Sequence, residues 1–114
     1  MRVRLEWILL AIERIARVTV GLDLPTFRAD IDQQWLVERG LEIISEASRR
    51  IPGEMLAKYP EIDWRRMHDI GNRLRHGYDQ LDEGIIWTIA TQRLPELKPV
   101  IEAMLAELDN KKSS

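Results

Sequence analysis

Asp63-Trp64-Arg65-Arg66-Met67-His68-Asp69-Ile70-Gly71-Asn72-Arg73-Leu74-Arg75-His76-Gly77-Tyr78-Asp79 reads as one amphipathic helix, and the rest of the chain is read outward from it. At about 100° per residue, Met67, Ile70 and Leu74 fall together, which predicts the side turned to a core. Asp63 is a good N-cap, and Ile62 and Met67 have the spacing of a hydrophobic staple, so the helix is expected to start at Trp64. Gly77 and the polar pair Asp79-Gln80 weaken its end. Arg65, His68, Asp69, Asn72, Arg75, His76 and Asp79 form the opposite stripe, within about 60° of Asn72 on ideal geometry. Both histidines of the chain lie on it, one turn to either side of Asn72. A face built only for solubility more typically carries Lys and Glu.

Upstream, Leu5, Ile8, Leu9, Ile12 and Ala16 recur at helical spacing and predict a first helix to about Val20, ended by Gly21-Leu22-Asp23-Leu24-Pro25. A short turn at 26–29 is expected to carry Phe27 into the core. Asp30 and Gln33 have capping-box spacing and open a second helix to about Arg50, with Leu36, Val37, Leu41, Ile44 and Ala47 inward. Pro52 can start a short helix that stops before Pro60. Downstream, a helix is expected from about Asp82 through Ile86, Trp87 and Ile89 to Leu94. Pro95 then opens a last one with Leu97, Ile101, Met104, Leu105 and Leu108 apolar. No segment shows the period-2 alternation of a strand, and there is no internal repeat or linker. The expectation is an all-α antiparallel bundle of about five helices. It forms one domain over 1–110, with 111–114 a disordered tail.

The chain has 114 residues, enough for one core without metal or disulfide staples. Zero cysteines exclude a disulfide scaffold, a thiolate zinc site and a cysteine nucleophile. No apolar run approaches the length of a membrane span, and Glu13 and Arg14 break the most apolar N-terminal stretch. The chain therefore reads as a cytoplasmic protein with no membrane partner. A formal net charge of −2 argues against a general nucleic-acid coat protein. That total hides a local excess: in 65–78, Arg65, Arg66, Arg73 and Arg75 face only Asp69. Arg supplies planar, bidentate donors suited to phosphate or carboxylate.

His76 is the residue with chemical potential. An imidazole with an ordinary pKa near ~6.5 exchanges a proton at neutral pH, and an adjacent Arg can hold an anion beside it. That pairing suits RNA cleavage: a base takes the 2′-hydroxyl proton while a guanidinium neutralises the charge on phosphorus. A plain surface imidazole is the competing reading. Metal binding is the weaker alternative, since His68 and His76 sit about 12 Å apart along a helix. His68 is read as structural or surface. Tyr78 either caps the core beside Trp64 or offers its hydroxyl for modification.

The run Asp63 to Asp79 resembles the signature of the HepT-like family, a branch of the HEPN superfamily. The resemblance extends to Leu41-Glu42-Ile43-Ile44-Ser45-Glu46-Ala47, Tyr59-Pro60-Glu61-Ile62, Ile86-Trp87 and Leu94-Pro95-Glu96-Leu97, and so covers the chain from about Leu5 to Leu108. It implies an all-α bundle that forms a homodimer and a metal-independent ribonuclease without a cofactor, acting as a toxin on RNA, with tRNA a candidate substrate. It also implies a minimal nucleotidyltransferase antitoxin that adenylylates the motif tyrosine. The family motif is Arg, four to six residues, His, any residue, Tyr, often with Asn after the Arg. His76, Tyr78 and Asn72 match; Gly71 stands where the Arg is usual. Arg75 is the best substitute for the missing guanidinium. The resemblance thus implies His76 and Asn72 as catalytic residues and Tyr78 as the modified residue; the nuclease reading adds Arg75 as the substitute catalytic cation and Arg65, Arg73 and Arg75 as phosphate binders. Two other readings stand beside the nuclease. One is a catalytically impaired regulatory subunit of a nucleotidyltransferase, with Gly71 marking the loss; the other is a helical dimerisation module alone.

Overall fold

The computed structural model describes residues 1–76 and 82–113, with side chains at 1–75 and 82–110. Helix α1 (Arg2–Thr19) buries Leu5, Ile8, Ala11, Ile12 and Ile15. It stops at Gly21, whose φ of +79° is a left-handed conformation that costs glycine little. Ile15 rather than Ala16 completes the stripe; Ala16 is exposed. Helix α2 (Leu24–Ala29) is capped by Asp23, whose carboxylate accepts from the Thr26 N–H at 2.9 Å. It delivers a fully buried Phe27 against Trp87, with ring centroids 5.2 Å apart.

Helix α3 (Ile31–Ser48) starts on Asp30, whose side chain accepts from the Gln33 N–H at 3.2 Å, as the spacing predicts. Its buried side is Val37, Gly40, Leu41, Ile44, Ser45 and Ser48. Leu36, expected inward, is 44% exposed, because it lies about 100° round the helix from Val37. Helix α4 (Gly53–Leu56) is the short turn after Pro52. Helix α5 (Trp64–His76) starts where Asp63 accepts from the Arg66 N–H at 3.2 Å. Met67 and Ile70 are buried and Leu74 packs on the core. Trp64 anchors the helix start by donating from Nε1 to the carbonyls of Leu56 and Tyr59.

The C-terminal part departs from the expected pair of helices. Helix α6 (Glu83–Thr88), a π-helical turn (Ile89–Arg93) and helix α7 (Leu94–Ser113) run on as one rod. Pro95 has no N–H to offer Thr91, and its ring would crowd that carbonyl in an ordinary helix. The chain widens just ahead of it instead: the Leu94 N–H reaches back five residues to the Ile89 carbonyl. The helix also runs to Ser113, three residues into the segment expected to fray.

Helix α3 is the centre of the bundle, packed on one side by α1 and on the other by α5, while α1 also packs on α7. Ion pairing of Arg2 with Asp109 sets the start of α1 beside the end of α7, so these two helices are antiparallel. Every element among the described residues is helical. None of these helices is long and apolar enough to cross a membrane.

Candidate functional site

Gly71 decides how the motif helix sits. Ser45, buried on α3, donates from Oγ to the His68 carbonyl at 2.9 Å and accepts from the Gly71 N–H at 3.0 Å. The hydroxyl thereby joins two backbone groups of α5 in the turn just before Asn72. A Cβ at position 71 would stand 2.9 Å from Ser45 Oγ and 3.2 Å from its Cβ, so glycine is what lets α5 approach α3 this closely. The same hypothetical Cβ would lie 3.5 Å from Arg75 Nη1. The Arg75 guanidinium therefore folds back one turn, over the position where the family motif usually carries its own arginine.

The polar stripe read from the sequence is divided in two by the packing. Arg75 lines a groove of about 450 Å³ with residues of α1 and α3, among them Trp7, Glu42 and Glu46. Asp69, Arg66 and Arg73 turn the other way, into a cavity of about 800 Å³ floored by Met67 and Ile70 and closed by α6 and the π-turn. Arg73 and Arg75, both expected to bind phosphate, thus line different depressions. Arg66 lies 3.6 Å from Asp63 in that second cavity. Asn72 and Arg65 are exposed. His68 is half-buried, and its Nε2 is enclosed without a hydrogen-bond partner among the described residues. Its backbone carbonyl is the one that Ser45 bonds at the α3–α5 contact. His76 is the last described residue of α5; its side chain, and Tyr78, Gly77 and Asp79, lie outside the described residues.

Ser45 and Trp7 were missed by the motif reading. Ser45 had a faint signal, a polar residue on the apolar stripe of α3. Trp7 had one as well, a large aromatic side chain off the apolar stripe of α1. At the α3–α6 contact, burial pushes the Glu38 carboxyl above its ordinary range, helped by Glu42 and Glu83. No group of three His, Asp or Glu side chains suited to a metal occurs among the described residues.

Residues 8–104 match the model of a family described as ribonuclease HepT-like. The chain is 37% identical over 100 residues to a Thermococcus cleftensis protein named "Probable ribonuclease HepT", covering 88% of this chain and 91% of that one. It is 30% identical over 104 residues to a candidate RNase of Methanocaldococcus jannaschii, covering 91% and 90%. A second candidate RNase of that organism is 34% identical over 89 residues, covering 70% and 82%. No solved structure matches the chain.

Proposed function

Because the chain belongs to the HepT-like ribonuclease family of the HEPN superfamily, we propose that it is the toxin of a toxin–antitoxin pair, a metal-independent endoribonuclease silenced when a nucleotidyltransferase partner adenylylates Tyr78. The observation that carries the reading is the Arg75 guanidinium lying over Gly71. It supports the reading despite the missing motif arginine, since a guanidinium from one turn on lies close to that position. In the proposed reaction His76 takes the proton of an RNA 2′-hydroxyl. The 2′-oxygen attacks phosphorus, Arg75 stabilises the charge that develops there, and the P–O5′ bond breaks with the 5′-oxygen taking a proton from water. Asn72 orients the phosphate, and Arg65 and Arg73 hold neighbouring phosphates. A homodimer pools two such sets at one seam, and adenylylation closes it by bulk and negative charge.

The test is incubation of the purified chain with a total tRNA pool, comparing wild type with His76→Ala and Arg75→Ala. Wild type is expected to cut and both variants to fail; intact tRNA with wild type overturns the nuclease. Co-expression with a neighbouring nucleotidyltransferase is expected to add AMP to the intact mass, and Tyr78→Phe to abolish it.

Gly71 itself favours a second reading, a regulatory subunit that has lost cleavage. There the chain leaves tRNA intact yet co-purifies with its nucleotidyltransferase.

A further inference from the structure

The groove that Arg75 shares with α1 and α3 has the chemistry of a subsite. Arg4 and Trp7 come from α1, Ile43 and Ala47 from α3, and Arg75 from α5. Around it stand four arginines and two glutamates, an excess of positive charge in a chain that is negative as a whole. The two glutamates are engaged, Glu42 with Arg39 at 3.5 Å and Glu46 with Arg50 at 3.3 Å. The excess therefore falls on Arg4 and Arg75, which line the groove together with the Trp7 indole. Trp7 is 52% exposed, although a ring of this size is ordinarily covered.

We propose that this groove binds a single-stranded stretch of RNA, with one unpaired base stacked on the Trp7 indole and the flanking phosphates held by Arg4 and Arg75. An exposed aromatic ring in a groove that also carries cations suits unpaired nucleobases, because stacking accepts any base and guanidinium groups can follow the backbone. Duplex RNA does not offer it a free base face. A second copy of the chain is the competing occupant, and the test below separates it from RNA. The proposal rests on the reading that this chain acts on RNA, and it extends the contact from the motif helix across to α1.

Fluorescence anisotropy tests it, with a short labelled single-stranded RNA titrated by the His76→Ala chain. Adding Trp7→Ala or Trp7→Leu is expected to weaken binding about tenfold or more, while Trp7→Phe keeps most of the affinity. Leu retains apolar bulk without a π face, so equal binding by the Leu and Phe variants overturns stacking. Trp35→Ala, at another exposed tryptophan, is expected to leave binding unchanged. Affinity unaltered by Trp7→Ala overturns the proposal. So does a dimer that falls to monomer by sedimentation while each chain still binds RNA as before, which would make the groove a contact between copies. The two readings fail separately. Wild type that cuts tRNA equally well with Trp7→Ala removes the subsite and keeps the nuclease. Trp7-dependent binding with no cutting by wild type removes the nuclease and keeps the subsite.

Discussion

On the side of α5 that meets α3, a serine hydroxyl is wedged between two backbone groups and there is no room for a single carbon at position 71. On the side that meets α6 and the π-turn, the same helix borders a cavity of about 800 Å³ lined by arginines and carboxylates. The tight side fixes where the motif turn stands; the open side leaves its arginines free to make local pairs such as Arg66 with Asp63. At position 71 on the tight side an added carbon must displace Ser45, whereas exposed Arg66 on the open side can be truncated with little change to the packing. Gly71 therefore marks a close helix crossing, and under the proposed function Arg75 is the source of the positive charge that an arginine there would otherwise bring.

Under the nuclease reading, Arg75→Ala should lower the single-turnover rate of tRNA cleavage by about a hundredfold or more, the usual cost of removing one donor from a developing oxyanion. Arg66→Ala, on the open side, should stay within a few fold of wild type. Equal losses from the two would mean that the arginines act as a diffuse positive field and that the fold-back over Gly71 is irrelevant. Arg75→Lys should recover only part of the rate, because an ammonium lacks the planar fork that grips two phosphate oxygens.

A second prediction addresses packing. Gly71→Ala would gain about 1 kcal/mol of helix propensity on an open helix. Here the added methyl meets Ser45 Oγ, so the variant should instead lose about 1–2 kcal/mol in urea unfolding. In a Ser45→Ala background the oxygen is gone and the same substitution should cost measurably less. Ser45→Ala alone should cost about 1 kcal/mol for the lost hydrogen bonds. Additive losses in the double mutant would show that position 71 does not feel position 45.

These two residues also show where sequence reasoning stops. The helices themselves were legible, because caps at Asp30 and Asp63 and apolar spacing in α1 and α5 are local signals. So was the family, which depends on residue identities along one segment. The π-turn was not legible: Pro95 announces a lost donor, and whether the chain breaks or widens there depends on what packs behind Leu94 and Leu97. Gly71 read as a missing arginine because its partner, Ser45, is 26 residues away and on another helix. The split of the stripe into an Arg75 side and an Arg73 side likewise depends on which neighbours flank α5. Helical spacing alone groups those residues on one polar face.

The smallest expected effect lies where α3 meets α6. Burial, Glu42 and Glu83 together raise the Glu38 carboxyl above its unfolded value, so its ionised form is disfavoured in the fold. That penalty is absent below the ordinary glutamate pKa of about 4.3 and grows as pH rises through the folded value. Glu38→Gln should therefore raise the melting temperature at neutral pH by a small amount, within the roughly 0.5 kcal/mol typical of accessible positions. The gain should vanish on acidification, when wild type carries a neutral carboxyl too. A gain that persists below pH 4 would assign it to packing rather than charge. A loss at neutral pH would mean that Glu38 is held by a cation on the α6 side, and that this junction, like the α3–α5 contact, is stitched together by polar partners.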